Sequence, residues 1–254
     1  MHLDFSKGLI NAPGLLGFAP AKDRKALSKV LDAFVSNPIS YLPRKSAEQS
    51  FSKHLDGSQL IHSGWPNAGL TRTVDRFAMS WERSKLPIIL CLVESDPGRL
   101  SKMVVELEGM GNITAIEILL GEDFSSSLMM ELCSAGLGEL PLLAHVAMTR
   151  ITEVGRELIN ADVDALVMGP ARAQLEDDDV ISGRLYGPAQ FPLALEISKE
   201  LKELDIPFIG GNGIYQAKQA KEMLTVGAKA VQLDAALWRA DFDAGNWLDI
   251  RKGE

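Results

Sequence analysis

A chain of 254 residues, 46% of them hydrophobic, holds enough apolar side chain to bury one large core, so a single domain over 1–254 is expected. The net charge of −8 argues against a general nucleic-acid or anionic-membrane surface, whereas small anions held by backbone amides stay open as ligands. No apolar run approaches the roughly 20 residues of a membrane span, and the N-terminus lacks the basic-then-apolar order of a signal peptide.

Apolar strand candidates alternate with helical patterns along the chain. Strands are predicted at Leu15–Ala19, Ala33–Asn37, Pro87–Val93, Ala115–Leu120, Leu140–Val146, Ala165–Met168, Ile206–Ile209 and Ala230–Leu233. Helices are predicted at about Lys22–Leu31, Leu70–Arg83, Gly98–Glu108, Ser125–Ser134, Ile151–Ile159, Pro188–Leu204 and Tyr215–Thr225. Buried strands each followed by a helix point to a closed parallel (β/α)8 barrel, the TIM barrel, more than to an open sheet. Two connections are long. Pro38–Pro66 has the turn formers of a hairpin or lid, and Gly169–Pro188 carries the acidic run Glu176–Asp179, read as a solvated loop face. Cys91 and Cys133 sit in apolar patterns and read as small core residues of a reduced cytoplasm. The four histidines, His2, His54, His62 and His145, show no metal-ligand spacing.

The most informative stretch is 183–237. Ile206–Ile209 is followed at once by Gly210, Gly211 and Gly213, and a helix opens near Tyr215. A strand whose end is glycine-rich and opens a helix leaves backbone N–H groups free to face an anion. Two such units near the C-terminus suggest a barrel phosphate site; the alternative is a pair of ordinary tight turns.

At these residues the chain resembles the dihydroorotate dehydrogenase family. LYGPAQFPLAL (185–195) is similar to the family's Leu-Ser-Gly-Pro-Ala segment, and IPFIGGNGI with AKQAKEMLTVGAKAVQL to its Gly-Gly-Ile turn, helix and last strand. Weaker similarities run in register: Ala12–Gly14 to the turn after the first strand, 33–44 to the second strand with its Pro-Arg ending, and Asn67 and Gly69 to an Asn-x-Gly before the next helix. The resemblance implies FMN across the barrel mouth, with its phosphate on the amides of Gly213 and Ile214 and Gly187 close by. It likewise places Gly14, Asn37, Gly211, Asp234 and Ala235 at cofactor positions and Asn67 at a substrate position. The implied reaction is hydride transfer to flavin with a side-chain base removing the neighbouring proton.

The catalytic positions depart from the family pattern. Leu119 stands where the first Asn of the fourth-strand motif is expected, Glu122 near the base, and Phe124 at the last Asn. Asn37 and His145 replace two lysines, and Asp234-Ala235 replaces Gly-Thr or Gly-Ser. Glu122 and His145 are therefore the proton-transfer candidates. The alternatives are a solvated Glu122-Asp123 loop and a core histidine bonded to backbone. Asp234 either repels a phosphate or turns away to cap a helix from Ala235.

Three functions follow: an FMN oxidoreductase with dihydroorotate or another small-molecule substrate, a barrel that has lost turnover and binds a ligand or partner, and a lyase or isomerase for a phosphorylated substrate. The last lacks an obvious Schiff-base lysine and offers only Glu94 at the end of LPIILCLVE. The protein is expected in the cytoplasm, without nucleic-acid or membrane partners, and a homodimer stays open.

Overall fold

A computed structural model describes residues 5–21, 26–176, 180–248 and 250–251. In chain order the elements are β1 (Leu9–Asn11), α1 (Leu27–Val30), β2 (Phe34–Val35), β3 (Phe51–Leu55), β4 (Ser58–His62), α2 (Leu70–Glu82), β5 (Ile88–Leu92), α3 (Pro97–Glu108) and β6 (Ile113–Leu119). There follow α4 (Ser126–Gly136), β7 (Leu142–Ala147), α5 (Ile151–Asn160), β8 (Ala165–Gly169), β9 (Arg172–Glu176), β10 (Val180–Tyr186), α6 (Phe191–Glu203), β11 (Phe208–Ile209), α7 (Ala217–Val226) and β12 (Val231–Leu233).

Six strands form one curled parallel sheet in the order β11-β8-β7-β6-β5-β2, and β1 pairs with β12 in a second parallel ladder. Parallel bridges Ile10↔Ala33 and Gly210↔Val231 run between the two ladders at either side. The apolar side chains sort into two layers because strand side chains alternate between faces. Ile10, Val35, Ile89, Cys91, Leu143, Val167 and Ile209 pack together on the concave face. Leu9, Phe34, Ile88, Leu90, Ile118, Leu166 and Phe208 belong to the larger core beneath the helices. Sequence sets the helix limits: Asp96 accepts from the Arg99 amide ahead of Pro97, Ser125 accepts from the Leu128 amide, and Gln216 with Gln219 forms a capping box for α7.

Seven of the predicted strands lie where expected, with shifted ends, and the first does not. Leu15–Ala19 is irregular, and β1 lies before it. The backbone of that segment is satisfied elsewhere: Gly17 N donates to Asn37 Oδ1, Gly17 O accepts from Asn37 N, and Phe18 O accepts from the Trp81 indole. The turn at Ala12–Gly14 does follow β1, as the family resemblance implies. Of the predicted helix over 22–31, residues 22–25 lie outside the described residues, as does His2.

The Gly169–Pro188 connection is a second correction. It holds β9 and β10, which join the β3–β4 hairpin in an antiparallel sheet ordered β3-β4-β10-β9. Glu176 is the last residue of β9, and 177–179 of the acidic run lie outside the described residues. The expected hairpin in Pro38–Pro66 is β3–β4.

Both cysteines are free and buried. Burial, and then the charge of Glu117, pushes the Cys91 thiol well above its ordinary value, and burial alone pushes Cys133 up to about 12. Thiolate is the reactive form, so neither cysteine of the native protein should react with a disulfide reagent at neutral pH, whereas both react after denaturation. Rapid labelling of a thiol in the native protein would contradict this burial. Among the described residues no helix is long and apolar enough to cross a membrane.

Candidate active site

The ends of β5, β6, β7 and β8 open into a cavity of about 370 Å³ whose far wall is the antiparallel sheet. That is within the range of small-molecule sites, and the C-terminal ends of parallel strands are where such sites gather. Glu94, Glu122, Asp123 and His145 line it from the parallel strands and the loops that follow them. Arg172 and Arg184 line it from β9 and β10, with Arg44, His62 and Trp65 beside them.

His145 lies on β7 and faces the concave side. Its Nδ1 is 2.7 Å from Glu117 Oε1, and Gln232 Nε2 donates to Glu117 Oε2 at 2.8 Å. Glu117 has no exposed surface. A carboxylate that accepts at Nδ1 selects the tautomer whose Nε2 lone pair is free, and that nitrogen lies against Gly169 at the cavity floor. The core histidine expected as the alternative is bonded to backbone; this one is bonded to a buried carboxylate. Glu117 and Gln232 were not among the predicted site residues, although a charged residue inside the apolar run AIEILL was a signal for the first.

Glu122 lines the same cavity, and its Oε1 accepts from the Thr149 hydroxyl at 2.6 Å. Arg150 holds the loop by donating to the carbonyls of Glu122 and Phe124. Glu94 accepts from the amides of Tyr41 and Ser95.

Arg172 and Arg184 are directly opposite each other in the β9–β10 register. Like charges at opposed positions of an antiparallel pair repel, and an anion between them removes that cost. Burial first, then Arg172 and Arg184, holds His62 below its ordinary value. The Arg184 guanidinium stacks 3.6 Å over the Trp65 ring and donates to Tyr186 Oη and Ser63 Oγ.

The positions nominated for a cofactor sit apart from this cavity. Gly14 and Asn37 line a neighbouring space of about 220 Å³, separated from it by Trp65 and Arg184, which border both. Gly211 and Asp234 line a third, of about 20 Å³. Gly213 and Ile214 are buried beyond it; the Gly187 carbonyl abuts Gly213, and Ala235 is buried next to Asp234. Asn67 serves the loop: its Oδ1 accepts from Ser40 and the Gly69 amide, and its Nδ2 donates to the Trp65 carbonyl. Among the described residues no group of three or more His, Cys, Asp or Glu side chains is placed to hold a metal ion.

Parallel strands that direct polar side chains into a ligand-sized cavity define an α/β protein with an open mouth at its strand ends. The chain is a distant relative of the dihydroorotate dehydrogenases. It is similar to dihydroorotate dehydrogenase B (NAD(+)), catalytic subunit, of Pyrococcus furiosus, 23% identical over 261 residues that cover 94% of this chain and 86% of the relative. Dihydroorotate dehydrogenase A (fumarate) of Limosilactobacillus reuteri is 25% identical over 92% of this chain and 84% of its own length. The B-type catalytic subunit of Maridesulfovibrio salexigens is 24% identical over 91% and 84%. No family model matches the chain.

The phosphate of the FMN implied by that resemblance does not fit at the Gly-rich turn. The space at the Gly-rich turn holds about one water, and the buried Asp234 carboxylate borders it. The Trp65 ring packs on Gly14, where an added Cβ would lie 2.1 Å from Cζ3.

Proposed function

We propose that residues 1–254 form a single (β/α)8 barrel domain, and that it is an enzyme transferring a proton to or from a small carboxylate-bearing molecule bound in the mouth cavity. The observation that carries this reading is the meeting of two elements around one 370 Å³ space: the opposed Arg172 and Arg184, and His145 oriented by buried Glu117. The arginines would hold the carboxylate, and His145 Nε2 would exchange the proton. Glu122, tied to Thr149, would orient the polar end of the molecule.

Calorimetric titration with orotate, dihydroorotate and fumarate tests the carboxylate site. Binding of at least one is expected, weakened about 10-fold or more in Arg172→Ala, since a hydrogen bond to a charged group contributes roughly 1.5–3 kcal/mol. Uncharged amides binding as well as the acids, or no effect of the arginine change, would defeat it.

A second reading, flavin-dependent oxidation of dihydroorotate, draws on the names of relatives that match about nine-tenths of the chain. Purified protein would then be yellow and would bleach when dihydroorotate is added without air. Colourless protein that takes up no added FMN excludes it.

A further inference from the structure

The turn that looks built for an anion already faces one. Asp234 follows β12 and is 4% exposed, and neither carboxylate oxygen has solvent contact or a hydrogen bond of good geometry. The main-chain amides of Gly213, Ala236 and Ala235 nevertheless lie close enough to favour its charged form. Helix capping does not explain the burial, because the short 3-10 turn Ala235–Trp238 takes no side-chain bond from Asp234.

The turn has no freedom to retreat and make room. Gly213 has φ +72, and a Cβ there would lie 2.4 Å from the Phe191 amide nitrogen. Asn212, before it, donates to the carbonyls of Gly169 and Met168 and so fastens the turn to the end of β8. The neighbouring space of about 20 Å³ admits one water and no tetrahedral anion.

We propose that Asp234 is an internal ligand of the Gly-rich turn: its carboxylate takes the amide-lined place of a phosphate, and the protein holds its mouth ligand without a phosphoryl anchor there. A phosphate ester entering this turn meets both filled volume and a like charge in a poorly solvated place. Arg184 and His145 border both the small space beside the turn and the mouth cavity, whereas Arg172 and Glu122 line the cavity alone. Phosphate binding at the turn and carboxylate binding in the mouth are therefore read by different variants.

The test uses the full chain at about pH 7.5, where a buried carboxylate of this kind is ionised. Melting temperature is followed against inorganic phosphate and against chloride of equal ionic strength, and FMN uptake is followed by fluorescence polarisation. The wild-type protein should show no phosphate-specific shift and no FMN uptake. Asp234→Gly, which empties the place and frees the amides, should gain a phosphate-specific rise, with binding at least ~10-fold tighter than wild type. Asp234→Asn removes charge but keeps volume, and should gain less than the glycine variant. If Asp234→Gly does not fold, Asp234→Ser replaces it under the same criterion. Tight FMN or phosphate binding by the wild type, or a folded Gly or Ser variant indifferent to phosphate, would overturn the proposal.

Discussion

Replacing Glu117 with alanine is expected to destabilise the protein by about 3–5 kcal/mol, the usual cost of removing one partner from a buried charged network. Glu117 has no exposed surface and joins three strands: its own β6, β7 through His145 and β12 through Gln232. Alanine leaves His145 Nδ1 and the Gln232 amide without their acceptor and opens a void between them. Glu117→Gln keeps the volume and one acceptor oxygen, so its cost should be nearer about 1–3 kcal/mol. Urea unfolding of the three proteins, with equal m values as the check on two-state behaviour, measures both differences. An alanine variant within about 1 kcal/mol of wild type would show that the network contributes little to the fold.

The same pair of variants separates structure from chemistry. Glutamine can present its NH₂ to His145 Nδ1, which selects the opposite tautomer and removes the free lone pair at Nε2. If His145 exchanges a proton with the mouth ligand, Glu117→Gln loses turnover out of proportion to its modest loss of stability. A purely structural Glu117 would show the two effects in step.

Much of the parallel architecture is legible in the sequence for a simple reason. Strands covered on both faces read as apolar runs, and LPIILCL, AIEILL and LLAHVA leave little choice. The first strand escapes because LIN is short and the apolar LLGFA after it has the better composition. What denies LLGFA a ladder is the set of partners for its backbone, Asn37 and Trp81, and these come from distant positions. The antiparallel sheet is hidden differently. Arg172–Glu176 alternates exposed with half-buried residues, and polar composition then reads as loop.

The site divides along the same line. His145 and Glu122 are visible as departures from a family pattern, and both line the mouth cavity. The partner that gives His145 its orientation is 28 residues away and the third member of the network lies 115 residues from Glu117, so no spacing rule reaches them. Arg172 and Arg184 become a pair only through the register of a sheet that composition does not announce.

The pH dependence of stability should change most with Asp234→Asn. Burial raises the Asp234 carboxyl to about 6 against the opposing effect of the Gly213, Ala236 and Ala235 amides. Burial first, and then the Asp234 charge, raises Tyr215; burial chiefly raises Tyr186, with a smaller contribution from Asp234, and Arg184 and His145 border the same small space. A carboxyl that holds its proton more tightly folded than unfolded adds no penalty below the unfolded value, about 4. It then costs stability as pH rises to about 6, and the full cost remains above that. A difference of roughly two units corresponds to about 3 kcal/mol. The asparagine side chain has no charge to desolvate, so the variant should gain about 3 kcal/mol on wild type between about pH 4 and pH 8, with the gain complete by about pH 7. Chemical denaturation of both proteins across that range isolates this one group, since the other ionisable side chains are common to the two. Parallel stability profiles would mean that the amides of the Gly-rich turn fully offset the burial of the Asp234 charge, and that the turn suits an anion better than its closed surroundings imply.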